Sequence, residues 1–216
     1  MTAPTFLHKN PNQPEFWDER FAQQFTPWHQ TQMASELQDF IATQSKPLHT
    51  LVPGCGHAND VALFIQADWP VTALDFSAQA IQQARIGLAE LISAARANVT
   101  LVQADFFQHQ PSRPYDLIFE RAFFCALPPL QRAAIVAKWR ELLAPGALLA
   151  GFFYLQTDAQ INDDKPRGPP FICAEAEWLN FMQNDFELLA QRQSQQSLPV
   201  FAGHEYWQVW RKKVSA

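Results

Sequence analysis

The feature that most constrains this chain is the run from Leu48 to Asp75, and within it the turn Val52-Pro53-Gly54-Cys55-Gly56. The run reads as a buried strand (Leu48 to Val52), a glycine turn and a helix from about Ala58 to Ala67. A second strand (Pro70 to Leu74) follows, closed by Asp75. A βαβ unit of this kind suits a mononucleotide. The helix N-terminus offers free N–H groups, the glycines let a ligand approach the backbone, and the acidic residue can accept hydrogen bonds from ribose hydroxyls. A full dinucleotide fingerprint needs a third glycine, and position 59 is Asn. The surroundings of the turn must decide.

Before this unit, residues 1–14 read as an irregular lead-in with three prolines. A short helix follows around Phe16-Trp17-Asp18-Glu19-Arg20-Phe21, with Trp17 and Phe21 on one face. Thr26-Pro27-Trp28 breaks it, and a second helix is expected from about Gln30 to Thr43. After the unit, Ser77 reads as the N-cap of a helix to about Ala95. Strands are expected over Asn98–Gln103 and Tyr115–Phe119, the second ending at Glu120-Arg121. A helix should span Pro128–Leu143, and an apolar fifth strand Ala147–Leu155.

Gln156–Pro170 reads as a long polar loop, and loops of that length are usually functional. A helix (Ala174–Gln183) and two strands (Phe186–Arg192, Val200–Lys212) complete the set. The last strand, with Glu205, Gln208 and Arg211 between aromatics, looks half-exposed and antiparallel. The expected fold is a doubly wound α/β domain: a mostly parallel seven-stranded sheet, an antiparallel edge at its C-terminal end and an N-terminal helical flap over residues 1–45. All 216 residues fit a single domain with a substantial core.

A net charge of -5 argues against a nucleic-acid footprint. Cys55, Cys125 and Cys173 suit neither a disulfide framework nor a zinc site, so a reducing, cytoplasmic setting is expected. No secretory h-region is visible near Met1, and the run Ala147–Leu155 is too short to span a bilayer. Nothing in the sequence demands more than a monomer.

In a doubly wound sheet, ligands bind beyond the carboxyl ends of the strands. Those ends supply Gly54 and Gly56, then Asp75 and Phe76, Asp105 and Phe106, and Glu120 and Arg121. Three successive acidic ends fit a nucleoside, and the lack of a P-loop lysine after the turn speaks against a triphosphate. A nucleoside that also carries positive charge would be S-adenosylmethionine. Its sulfonium is attracted to aromatic faces, which Trp17, Phe21 and Trp28 offer if the N-terminal segment folds over the sheet. The same three residues also read as a hydrophobic flap packed on the core.

Several stretches resemble the thiopurine S-methyltransferase family, especially its thiol and halide methyltransferase branch. They are Phe16-Trp17-Asp18-Glu19-Arg20-Phe21 with Thr26-Pro27-Trp28, Leu51-Val52-Pro53-Gly54-Cys55-Gly56 with Asp60-Val61, and Ala73-Leu74-Asp75-Phe76-Ser77. Phe119-Glu120-Arg121-Ala122-Phe123-Phe124-Cys125-Ala126-Leu127 and Gly168-Pro169-Pro170-Phe171 follow in the family's order. The resemblance implies a methyltransferase using S-adenosylmethionine, with Trp17, Phe21 and Trp28 walling the cofactor. It also implies that Gly54 and Gly56 line the methionine part, Asp75 the ribose, and Asp105 and Phe106 the adenine. Arg121 would serve the carboxylate end or the substrate mouth. Position 21 is Phe where many members carry Trp, which keeps the π face and loses the indole N–H.

Methyl transfer from a sulfonium needs little acid–base help when the acceptor is already anionic; alignment and desolvation then dominate. A thiol must ionise, and Arg121 could favour the thiolate. Arg121 could also pair with Glu120 or cap the next helix, though its place at the end of a central strand favours the functional role, and Asp105 could cap its own turn. Tyr154 and Phe171 are candidates for the acceptor pocket, though core packing also explains them. His57 reads as a surface or capping residue, and Cys55 and Cys125 as small buried hydrophobes. No metal-spaced cluster is visible. The readings to be separated are a methyltransferase acting on a small soft nucleophile, most simply a thiol, a non-catalytic binder of S-adenosylmethionine, and a nicotinamide-dependent oxidoreductase.

Overall fold

The computed structural model describes residues 4–29, 32–96, 98–157, 168–201 and 203–214. Helices α1 (Pro14–Ala22) and α2 (Ser35–Thr43) precede β1 (Thr50–Pro53), α3 (Val61–Gln66), β2 (Val71–Asp75), α4 (Ala78–Ala94) and β3 (Val99–Gln103). Then come β4 (Tyr115–Arg121), α5 (Arg132–Leu142), β5 (Leu143–Gln156), β6 (Cys173–Ala174), α6 (Glu175–Met182), β7 (Phe186–Gln193) and β8 (Glu205–Lys212). The strand order is β3-β2-β1-β4-β5-β8-β7, with the two-residue β6 added against the end of β5. Pairs among β1 to β5 are parallel, and β8 runs antiparallel to both neighbours.

The alternation of strand side chains builds two cores. Leu117, Phe119 and Phe152 join Val61, Phe64, Ala84 and Leu88 on one face. Ile118, Leu149 and Phe153 join Ile135, Trp139 and Trp178 on the other. α4 begins as its sequence suggests: Ser77 Oγ accepts from Ala80 N–H at 3.1 Å, and Ala80, Ile81, Ala84 and Leu88 turn inward. α1 is fastened over that same helix end. Asp18 Oδ1 accepts from Ser77 Oγ (2.6 Å) and Gln79 N–H (3.0 Å), and Gln83 Nε2 donates to Phe21 O (3.1 Å).

Several boundaries differ from the sequence reading. The helix expected from Ala58 starts at Val61, because Ala58 sits at φ +59 and cannot continue a right-handed turn. α2 starts at Ser35 rather than Gln30; residues 30 and 31 lie outside the described residues, and Met33 precedes the helix. The expected helix from Pro128 is a 3-10 turn over Pro129–Gln131 followed by α5, and β5 reaches back through Pro145-Gly146 to Leu143. Of the expected loop Gln156–Pro170, residues 158–167, with Asp158, Asn162, Asp163 and Asp164, lie outside the described residues.

The largest correction concerns β8. It is no half-exposed edge but lies between β5 and β7, with Glu205 and Gln208 each only 1% exposed. Gln208 is polar yet buried because Oε1 accepts from two indoles, Trp178 Nε1 and Trp210 Nε1, both at 2.8 Å. The edge is β7, exposed along all but its first residue.

Candidate active site

The strand order reverses at β1, with β2 and β3 on one side and β4 on the other, so a crevice opens above its carboxyl end. A cavity of about 320 Å³ lies there, a fair size for a small-molecule site. Its floor is the glycine turn. Gly54 and Gly56 both have positive φ (+58 and +52), and a Cβ on Gly54 would stand 2.5 Å from Phe123 Cδ2. Two non-glycine residues of the lining, Ala58 and Ala122, are also held at positive φ. Such strain persists only where the surroundings enforce it, and it concentrates at functional sites.

Asp75 closes β2 at the cavity wall. Its Oδ2 accepts from Gly56 N–H (3.0 Å) and its Oδ1 from Ser77 N–H (2.9 Å), which fixes the carboxylate and leaves further lone pairs. Burial pushes its carboxyl up to about 6, although both N–H bonds pull the other way. Phe76, Asp105 and Phe106 continue the lining on the β3 side. Asp105 lines the cavity while its Oδ1 caps Phe107 N–H at 2.9 Å.

The aromatic wall comes from the N-terminal flap. Trp17, Phe21 and Trp28 all line the cavity, with Trp28 edge-on to both others (5.4 and 6.2 Å between centroids). Trp17 is fixed by its indole N–H, donated to Pro11 O at 2.8 Å. The three residues pack as a cluster and also line the cavity.

Arg121 ends β4 inside the same cavity. Its Nη1 meets Asp60 Oδ1 at 3.3 Å, its Nε lies 4.0 Å from Glu205 Oε1, and the guanidinium sits 4.4 Å above the Phe152 ring.

Three candidates are corrected. Glu120 does not line the cavity: it is 1% exposed and its Oε1 turns back to accept from Phe123 N–H (2.8 Å) and Phe124 N–H (2.9 Å). Burial pushes its carboxyl up to about 8, so it holds a proton at neutral pH. Tyr154 does not line it either; its ring packs on Phe201, which does. Phe171 stands behind the lining residues Pro169 and Pro170, held by its N–H to Cys125 O at 2.6 Å and by Arg132 on its carbonyl.

The lining also contains His29, Val200 and Phe201, which the sequence reading passed over, and Asp60, His57 and Cys125, to which it gave no site role. His29 and His57 have ring centroids 4.1 Å apart, and burial, helped by His29, drives His57 down to about 4, so it is neutral. The Cys125 thiol is pushed well up by burial and by the nearby carboxyls of Glu120 and Glu205, which makes it an inert thiol. Asp60 had a legible signal, an aspartate four residues past a glycine turn, but nothing local linked it to Arg121.

Residues 12–213 match the family model described as thiopurine S-methyltransferase. The chain belongs to the thiopurine S-methyltransferase family. Thiocyanate methyltransferase 1 of Arabidopsis thaliana is 29% identical over 210 residues, covering 96% of this chain and 88% of that protein. Its namesake in Brassica oleracea is 30% identical over 200 residues, covering 91% and 84%. Thiopurine S-methyltransferase of Legionella pneumophila (strain Corby) is 27% identical, covering 75% and 77%. Among solved structures, the 1,6-didemethyltoxoflavin-N1-methyltransferase of Burkholderia thailandensis, with bound S-adenosylhomocysteine, superposes with a TM-score of 0.72. It covers 99% of this chain and 93% of that one, at 15% identity. The protein is an S-adenosylmethionine-dependent methyltransferase of the class I fold. The residues present suit the cofactor, with a Cβ-free floor, an acidic strand end and an aromatic wall. No helix among the described residues is long and apolar enough to cross a membrane.

Proposed function

We propose that this family member methylates a small soft nucleophile, most simply a thiol, and that the cavity residues divide the work by chemistry. Bound S-adenosylmethionine supplies an electrophilic methyl group on a sulfonium. The single observation that carries the assignment is the wall of Trp17, Phe21 and Trp28 standing against the glycine turn. Aromatic faces attract a cation at roughly 0.5–2 kcal/mol each, according to how far it is desolvated. A neutral His57 beside Phe21 adds no opposing charge.

In this reading Asp75 accepts from both ribose hydroxyls, Gly54 and Gly56 let the methionine part lie on the backbone, and Asp105 and Phe106 hold the adenine. Phe76 closes the nucleoside end. The acceptor enters on the β4 side, bounded by Arg121, Cys125, Phe201 and the Pro169-Pro170 segment. That side is mostly apolar, which strips water from a nucleophile and favours polarisable sulfur over oxygen. The relatives named for thiocyanate, thiol and thiopurine substrates support the same class of acceptor. The reading takes the chain as a single domain acting as a monomer in the cytoplasm, with its three free cysteines as the support for a reducing compartment.

The test is a product assay with labelled S-adenosylmethionine against alkyl and aromatic thiols, hydrosulfide, thiocyanate and iodide, with phenols and amines as controls. Turnover of a thiol with at least a hundredfold preference in kcat/KM over its oxygen analogue is expected. Preference for a phenol or amine would overturn the assignment.

A further inference from the structure

Asp60 stands at the N-cap position of α3, yet its side chain makes no cap hydrogen bond. An aspartate there ordinarily accepts from the N–H groups of the first turn. This one reaches across to β4, where its Oδ1 meets Arg121 Nη1 at 3.3 Å. Two carboxylates flank Arg121, but only one faces the cavity. Glu205 is 1% exposed, accepts from Leu198 N–H through Oε2 (2.8 Å) and does not contribute to the lining, whereas Asp60 does. Cys125, Arg121 and Asp60 border the same space; burial pushes the Cys125 thiol well up, and a guanidinium offers donors but no acceptor, which leaves the Asp60 carboxylate.

We propose that Asp60 is the proton acceptor for neutral thiol substrates, with Arg121 orienting its carboxylate and stabilising the thiolate that forms. This rests on the soft-nucleophile reading above. The S–H bond of the thiol breaks, its proton passes to a carboxylate oxygen of Asp60, and its electron pair stays on sulfur. That pair forms the new bond to the methyl carbon, the carbon–sulfonium electrons return to the departing thioether, and the proton leaves Asp60 to solvent. Charge is conserved within the pair: Asp60 becomes neutral as the thiolate appears beside Arg121. Burial holds the Asp60 carboxyl above the ordinary aspartate range, with Arg121 pulling it back, which suits a group that must take and release a proton. The charged groups nearby are Arg121 from β4 and Glu205 from β8; the lining also holds the titratable groups His29, His57, Asp75, Asp105, Cys55 and Cys125.

Asp60→Asn separates this from a structural role, because iodide needs no proton acceptor and a thiol does. In the wild type, transfer of the proton to Asp60 leaves the bound complex with the protons it started with. Affinity of the S-adenosylhomocysteine complex for an alkyl thiol, read by calorimetry without turnover, should then stay level from the upper end of the Asp60 titration to the thiol pKa of about 8.5. In Asp60→Asn only thiolate from solution can bind beside Arg121, so affinity should rise about tenfold per pH unit over the same range. The kcat/KM for the thiol at pH 7 should fall a hundredfold or more, while that for iodide stays within threefold. Asp60→Glu should restore part of the thiol activity.

Equal losses for thiol and iodide, or level thiol affinity in Asp60→Asn, would overturn the proposal. If Asp60→Asn folds poorly, Asp60→Glu decides: a pH-dependent thiol affinity there, despite the retained carboxylate, would also overturn it. A wild type that bound S-adenosylhomocysteine but turned over neither acceptor would sink the soft-nucleophile reading and this inference together.

Discussion

Replacing Glu120 by Gln should make the protein more stable at neutral pH, although it removes a buried acidic residue beside the site. The carboxyl titrates near 4.5 when exposed and is pushed up to about 8 in the fold, chiefly by burial. Below pH 4.5 both states hold the proton, and wild type and Glu120→Gln should be equally stable. Above it the unfolded chain releases the proton while the folded one keeps it, so wild-type stability falls until pH passes about 8. At pH 7 the gap between 4.5 and 7 corresponds to about 3 kcal/mol at 1.36 kcal/mol per unit. Gln keeps the acceptor that serves Phe123 and Phe124 N–H, and its amide replaces a carboxyl oxygen, Oε2, that has no hydrogen-bond partner among the described residues. Thermal melts of both proteins at pH 4.5, 6 and 7.5 are the assay. The variant should lead by roughly 6–12 °C at neutral pH, given about 2–4 °C per kcal/mol for a chain of this size, and by little at pH 4.5. A variant no more stable than wild type at pH 7.5, or a difference independent of pH, would refute the reasoning. Cofactor binding should survive, since the side chain does not reach the cavity.

Asp75→Asn should weaken S-adenosylhomocysteine binding by about 2 kcal/mol, or roughly thirtyfold, as read by calorimetry. Because the Asp75 carboxyl lies near 6, wild-type affinity should also drop as pH falls through that value. Phe21→Ala should weaken S-adenosylmethionine more than S-adenosylhomocysteine, by a further factor of roughly 2–30 for a lost cation–π contact; equal loss of both ligands would mean the ring only packs. Gly54→Ala should lose at least about 1–2 kcal/mol from the positive φ alone. The 2.5 Å approach to Phe123 adds to that, visible as a lowered melting temperature and lost cofactor binding.

Much of this was legible in the sequence because the signals were local. The glycine turn, the acidic ends of β2 and β3 and the Ser77 cap each depend on a few adjacent residues, and each stands where the pattern puts it. The failures share one cause, pairing between residues far apart in the chain. Glu120 looked like a strand-end ligand, but the turn that follows it bends back and takes up its carboxyl oxygen. Glu205 and Gln208 looked solvent-facing by composition, yet β7 folds outside β8, and an arginine and two indoles give them buried partners. Ala58 and Ala122 carry no mark of left-handed backbone, because alanine is an unusual residue to hold there. The link from Asp60 to Arg121 joins positions 61 residues apart, beyond the reach of any periodicity.

The insertion of β8 between β5 and β7 has a consequence for how the chain emerges from the ribosome. While β1 to β5 are already available, the apolar edge of β5 from Leu148 to Tyr154 waits for β8, its partner at every one of those positions. An open apolar strand edge invites pairing with other chains, so the nascent protein passes through a sticky stage that its finished form conceals. The strand that ends this stage begins with Glu205, the residue set against Arg121. A chain halted just short of it would therefore be aggregation-prone and lack the carboxylate set against Arg121.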